Sequence, residues 1–126
     1  MIITLTPNPA VDQTMWVSRL RPAQRSRYGR SELDPAGKGV NVSRMAHRLG
    51  RPTLAGGFLA GETGLLVRRA LDVEGVPHHF IDVPGQTRIN VVIIEEATGD
   101  ETALQGPGPH VSHEQLAALT HWLEEP

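Results

Sequence analysis

Pro35-Ala36-Gly37-Lys38-Gly39-Val40-Asn41-Val42 is the stretch on which the reading of this chain turns. It is a glycine-rich turn that opens a helix. Glycine lets the backbone come close to a ligand, and a helix N-terminus offers free N–H groups and positive potential. Lys38 adds a point charge, and Asn41 adds a donor and an acceptor from the first turn. Two familiar loops do not fit. A phosphate loop of the Gly-x4-Gly-Lys-Ser/Thr type would need glycine at Glu32 and a hydroxyl residue at Gly39. A dinucleotide fingerprint would need a third glycine where Val42 stands. The residues alone leave two readings open: a cradle for a phosphate or polyhydroxylated sugar, or a bare glycine-rich helix start.

Outward from this turn, Val42, Met45, Ala46 and Leu49 recur at helical spacing, and Gly50 ends the run, which predicts a helix over 39–49. Ile2 to Thr6 is a short β-branched run closed by Pro7 and reads as a buried strand. Val11 to Val17 alternates, with Asp12, Thr14 and Trp16 on its polar side. Residues 21–30 are polar and read as a loop into a short strand. Beyond the turn, 52–59 reads as a strand and 62–74 as a helix with Leu66, Val67, Ala70 and Leu71 inward and Gly75 as its stop. Strands are predicted at 79–83, 88–95 and 101–105. Ser112 and Gln115 form a capping-box pattern, Val111 and Leu116 a hydrophobic staple, and Leu116, Leu119 and Leu123 one helical face. The central strand–helix alternation argues an α/β fold with a partly parallel sheet. The strands near 11–17 and 88–105 fall outside that alternation and are expected in a separate small sheet.

The chain has 126 residues, enough for one domain with an apolar core. Its 39% hydrophobic content places it outside the disordered class. No apolar run approaches the roughly 20 residues that span a bilayer. The N-terminus lacks the basic start of a signal peptide, and cysteine is absent. A cytoplasmic location without membrane partner is expected. The net charge of −2 argues against nucleic-acid binding. Of the 12 basic residues, Lys38 is the one lysine.

Outside the glycine-rich turn, Asp12 sits where an aspartate could accept hydrogen bonds from two sugar hydroxyls. Arg88 opens an apolar strand and could clamp a phosphate. Taken singly, Asp12 reads more readily as a solvated strand aspartate and Arg88 as an exposed arginine at a strand end. Gly56, Gly57, Gly61 and Gly64 surround a strand-to-helix turn with no ligand implied. His110 and His113 straddle a helix start without neighbouring carboxylates, so no metal site is expected.

Taken together, the segments resemble one family. Thr4-Leu5-Thr6-Pro7-Asn8-Pro9-Ala10-Val11-Asp12 is similar to the opening of bacterial 1-phosphofructokinases and tagatose-6-phosphate kinases. Pro35 to Arg44 resembles the N-terminal signature of PfkB, ribokinase-like carbohydrate kinases. Gly56-Gly57-Phe58 with Gly61-Glu62-Thr63-Gly64, Thr87-Arg88-Ile89-Asn90 and Gly106-Pro107-Gly108-Pro109 follow in the family's order.

The resemblance implies the N-terminal part of a ribokinase-like α/β fold over residues 1–126, with a small β lid sheet from strands at about 11–31 and 88–105. It implies substrate binding by Asp12 (sugar hydroxyls), Gly37 and Lys38 (sugar phosphate), Asn41 (the edge of the site) and Arg88 (the substrate phosphate). The implied activity is ATP-dependent phosphorylation of a sugar phosphate, above all fructose 1-phosphate to fructose 1,6-bisphosphate, with a homodimer through the lid sheet. Family members are more than twice this length. Their Gly-Ala-Gly-Asp base and anion hole and their ATP and magnesium contacts lie in the second half. No catalytic residue is therefore expected in this chain, and by itself it is expected to be inactive. The alternatives are a non-catalytic remnant that at most binds sugar phosphate, or part of a ribokinase or nucleoside kinase. One position departs from the family: Ala36 replaces a usual glycine, which at positive φ would cost about 1 kcal/mol or more.

Overall fold

A computed structural model describes residues 1–125. In chain order the elements are β1 (Ile2–Thr6), β2 (Ala10–Val17), β3 (Arg30–Ala36), α1 (Lys38–Arg48), β4 (Thr53–Leu59), α2 (Gly61–Glu74), β5 (His78–Asp82), β6 (Arg88–Glu95), β7 (Glu101–Leu104) and α3 (His113–Glu124). Among the described residues they make two sheets. One is parallel, in the order β1-β4-β5; the other has the order β3-β2-β6-β7.

The parallel sheet is covered on one face by α1 and α2 and on the other only in part, by α3; Ile3 and Leu5 of β1 stay exposed on that second face. On one side Val11, Val40, Ala55, Leu59, Val67, Leu71, Val76 and Phe80 form a buried cluster beneath α1 and α2. On the other, Phe58, Ala60, Val83 and Leu119 meet α3, with Ile81, Val111 and Trp122 partly buried beside them. Each large side chain buried here contributes about 1.5–3 kcal/mol. Helix ends follow sequence chemistry. Gly75 closes α2 at φ 75°, and Gly50 follows α1 at φ 72°. On α3 the capping box is complete: Gln115 N–H donates to Ser112 Oγ at 3.2 Å, and Ser112 N–H to Gln115 Oε1 at 2.7 Å.

The second sheet stands apart from this core. β2 and β6 run parallel at its centre, with β3 and β7 antiparallel on either side. Its register puts Asp12, Asp34 and Asn90 on one face, and Gln13, Leu33 and Val91 on the other.

Several expectations change. β3 runs to Ala36, so Pro35 and Ala36 belong to a strand rather than to the glycine-rich turn, and Ala36 is not among the residues at positive φ. The strain expected at Ala36 is therefore absent. Helix α1 turns Val40, Ser43 and Ala46 inward and leaves Val42, Met45 and Leu49 exposed. The apolar stripe that reveals this helix is not the stripe that docks it. In α2, Leu66 is exposed rather than inward. It borders a hollow with Val11, Leu33, Pro35 and Ala70, because it faces the underside of the second sheet. In α3, Leu119 is buried while Leu116 is exposed.

One ion pair ties three elements together. Arg44 Nε donates to Glu74 Oε2 at 2.8 Å and Nη2 to Oε1 at 2.5 Å. Its Nη1 reaches the Pro35 carbonyl at 3.3 Å, so α1, α2 and the end of β3 share one guanidinium. The hydrogen bonds from Arg44 hold the Glu74 carboxyl below its ordinary range, against the opposing effect of burial. The same bonds raise the Arg44 pKa. Because the folded carboxyl titrates below the unfolded one, its stabilisation is present above the ordinary glutamate value of about 4.5 and is lost as pH falls through the folded value. Glu74→Gln is predicted to destabilise the fold by about 1–2 kcal/mol at neutral pH. Urea unfolding should show that difference shrinking as pH falls below the ordinary glutamate value and through the folded carboxyl's lower one; a difference independent of pH would contradict the assignment.

Candidate functional site

The site grows from the end of β1. Thr6 Oγ1 accepts the Val40 N–H at 3.0 Å and so caps α1 from a distant strand, in place of the side chain that its own N-cap, Gly37, lacks. This docking leaves no room for side chains around Thr6. A Cβ on Gly37 (φ 130°) would strike Thr6 Cγ2, one on Gly57 (φ 145°) would strike the Thr6 carbonyl, and one on Gly39 would lie 2.6 Å from Thr6 Oγ1. The glycines of the central motif are thus required by packing, whatever else they do.

The consequence is a helix start held at the mouth of a cleft. Pro7, Asn8, Gly37, Lys38, Gly39 and Arg88 line a cleft of about 350 Å³, whose floor is Leu5 and Thr6. Val40 N–H is used by Thr6 and Asn41 N–H by the Gly37 carbonyl, whereas the Lys38 and Gly39 N–H groups have no protein partner among the described residues. Two free N–H groups, the positive helix end and two cations therefore converge, which suits an anionic, oxygen-rich ligand. Arg88 is held from one side: its Nη2 donates to the Asn8 carbonyl at 3.1 Å, and its buried Nε has no partner. A roomier groove of about 440 Å³ follows Glu62, Thr63, Leu65, Leu66 and Arg69, but its lining comes from a single helix, α2.

Gly37, Lys38 and Arg88 thus meet at one cleft. Asp12 does not line it, yet it is adjacent: Ala10 pairs with Arg88 and Asp12 with Asn90, so Arg88, Asp12 and Asn90 share one face of the second sheet. Asn41 is exposed on the first turn of α1, three residues from Lys38 and so on the same side of the helix. Gly57, Gly61 and Gly64 answer to packing alone, against Thr6, Gln86 and Leu59 with Thr87. Sequence reasoning missed Thr6, Asn8 and Asn90. Asn90 carried a signal, since a strand places residue i+2 on the same face as Arg88. Asn8, between two prolines, entered only as part of the family-like opening segment. The described residues hold no group of three His, Cys, Asp or Glu side chains that could hold a metal ion.

The pfkB family carbohydrate kinase model matches residues 6–124. Phosphofructokinase-2 from Escherichia coli, solved with substrates and products, superposes with a TM-score of 0.94 at 27% identity, over 99% of this chain and 41% of that one. The same enzyme has been solved with fructose-6-phosphate and in a tetrameric inhibited form. A presumed phosphofructokinase from Staphylococcus aureus gives 0.91 at 31% identity, over 100% of this chain and 40% of that one. A Thermotoga maritima protein named as a possible 1-phosphofructokinase gives 0.89 at 31%, over 97% and 40%. The chain thus spans about 40% of the length of the solved structures it matches.

Thr6 is predicted to control the helix start. Thr6→Val keeps the shape but removes the acceptor, and should cost about 1–3 kcal/mol by leaving the Val40 N–H buried and unpaired. Hydrogen exchange at the Val40 amide should accelerate in Thr6→Val and stay slow in Thr6→Ser; equal rates in both variants would show that the cap is not made.

Proposed function

Since this chain belongs to the pfkB family of carbohydrate kinases, we propose that it forms the sugar-phosphate-binding half of an ATP-dependent sugar-phosphate kinase. The carrying observation is the convergence of Lys38, Arg88 and the two unpartnered N–H groups on one cleft. A phosphate monoester fits that set of donors: it offers several acceptor oxygens and two negative charges, which the guanidinium of Arg88 and the ammonium of Lys38 can balance. Asp12, on the sheet face above the cleft, supplies an acceptor for sugar hydroxyls. Gly37 shapes the floor, and Asn41 stands at the edge. Fructose 1-phosphate is the substrate proposed, converted to fructose 1,6-bisphosphate. Fructose 6-phosphate is the nearest competitor, being the ligand named for the Escherichia coli structure.

ATP and magnesium belong to this reading through the family, and their contacts are assigned to the part of the fold beyond this chain. Nothing among the described residues suits them: no metal-ligand group is present, and the glycine-rich turn departs from the nucleotide loops. What this chain's residues do is hold and orient the acceptor sugar, the share of phosphoryl transfer that depends on positioning. The second sheet acts as the lid over the cleft in this reading. The face opposite Asp12 and Asn90 carries Leu33, Ile89 and Leu104, each exposed in this chain, and is the face proposed for a homodimer contact. A cytoplasmic location accords with this metabolic role.

The alternative reading is non-catalytic: the chain binds sugar phosphate and does no more. Both readings expect the isolated chain, given ATP, magnesium and fructose 1-phosphate, to bind the sugar phosphate and form no bisphosphate; bisphosphate formed by the isolated chain would overturn the assignment of the ATP contacts to the part of the fold beyond it.

Arg88→Met is predicted to weaken fructose 1-phosphate binding about tenfold or more, while the far weaker binding of free fructose stays unchanged. Isothermal titration of both ligands checks this. An equal loss for free fructose would remove Arg88 from the phosphate site.

A further inference from the structure

Asn90 stands two residues beyond Arg88 on β6 and shares its face of the second sheet. Its amide orientation is fixed by its neighbours. Oδ1 accepts the Gly106 N–H at 3.2 Å, so the nitrogen end faces β2, where Nδ2 donates to Asp12 Oδ1 at 3.1 Å. Gly106 approaches closely, with a Cβ there lying 3.1 Å from the Ile89 carbonyl, so the anchor for Oδ1 is backbone held in a tight place. After these bonds each partner has capacity left. Asp12 Oδ2 is an acceptor, the second Nδ2 hydrogen is a donor, and neither has a protein partner among the described residues. Both side chains are half-buried on the face that continues upward from the cleft.

We propose that Asp12 and Asn90 act as one acceptor–donor pair for two neighbouring hydroxyl groups of the sugar. Asn90 is then a specificity-determining residue that also holds the Asp12 carboxylate in place. The inference deepens the sugar-phosphate reading above and rests on it. One hydroxyl donates to Asp12 Oδ2 while the oxygen of its neighbour accepts from Asn90 Nδ2. A vicinal diol satisfies both groups at once with two hydroxyls of one ligand; a phosphate ester without hydroxyl groups does not. The Asp12 carboxylate repels phosphate, which directs that end of the ligand to Lys38 and Arg88 and gives the sugar a single sense in the cleft.

NMR titration of the chain with fructose 1-phosphate and with ethyl phosphate, a monoester without hydroxyl groups, separates the two halves of recognition. Wild type should bind the sugar phosphate more tightly than ethyl phosphate. Asn90→Ala should bind fructose 1-phosphate about tenfold more weakly and ethyl phosphate within about twofold of wild type. Asn90→Asp keeps the acceptor for Gly106 but sets two carboxylates face to face, and should lose more than tenfold for the sugar phosphate. The exchanged pair Asp12→Asn with Asn90→Asp restores one donor and one acceptor and should recover to within about threefold of wild type. The inference is overturned if Asn90→Ala binds fructose 1-phosphate like wild type, if it loses both ligands equally, or if the exchanged pair stays as weak as Asn90→Asp. Wild type that binds neither ligand would overturn the sugar-phosphate reading itself, and this inference with it.

Discussion

The end of β1 is packed against glycine in three directions, and most of the molecule's functional geometry follows from that contact. Thr6 needs Gly37, Gly39 and Gly57 beside it, and it gives its hydroxyl to the Val40 N–H. With bulkier neighbours, α1 could not approach the sheet end-on. Its first turn would then not open over the cleft formed with Pro7, Asn8 and Arg88. Cradle and bare helix start, the two readings left open for Gly37-Lys38-Gly39, are therefore not exclusive. Packing dictates the missing side chains, and the free N–H groups of Lys38 and Gly39 are what the packing leaves facing the cleft.

The rest of α1 is docked by polar groups to an unusual degree. Ser43, fully buried, shares hydrogen bonds with Thr4 at 2.6 Å and Thr53 at 2.7 Å. A hydroxyl chain of this kind fixes the helix's rotation more narrowly than methyl contacts would, since each member left unpaired would cost about 1–3 kcal/mol. Arg44, the next residue, carries the same rotation outward to Glu74 on α2 and to the Pro35 carbonyl. The helix that presents Lys38 is thus pinned from within by Ser43 and from its flank by Arg44.

That polar docking also explains where the sequence was legible and where it was not. β1, β4 and α2 could be read from their periodicity, and α3 from its capping box, because those signals are local. Gly50 and Gly75 ended their helices where backbone chemistry requires. The facing of α1 could not be read. Ser43 turns inward because of Thr4, 39 residues earlier, and Thr53, 10 residues later, and no periodicity records such partners. Leu66 was misjudged for a related reason: its neighbours Leu33 and Pro35 belong to a strand whose length was underestimated. At the site, Lys38 and Arg88 stood out as charges in distinctive settings. Asn90 did not, because its place depends on the parallel pairing of β2 with β6 across 78 residues.

In the proposed reading the two sheets divide recognition between them. The parallel sheet and α1 contribute the cationic end, while the second sheet contributes carboxylate and amide. Arg88 belongs to both, since it begins β6 yet is anchored by the Asn8 carbonyl on the loop after β1. Asn90 is anchored in turn to Gly106, on the loop that leads from β7 to α3. A ligand that reaches from the helix start to Asp12 therefore bridges the sheets at the points where the chain passes between them. Any change in how the second sheet sits over the cleft must alter the Arg88 and Asn90 anchors together. Recognition of the phosphate end and of the hydroxyl end is coupled by covalent continuity along β6, without any further contact between them.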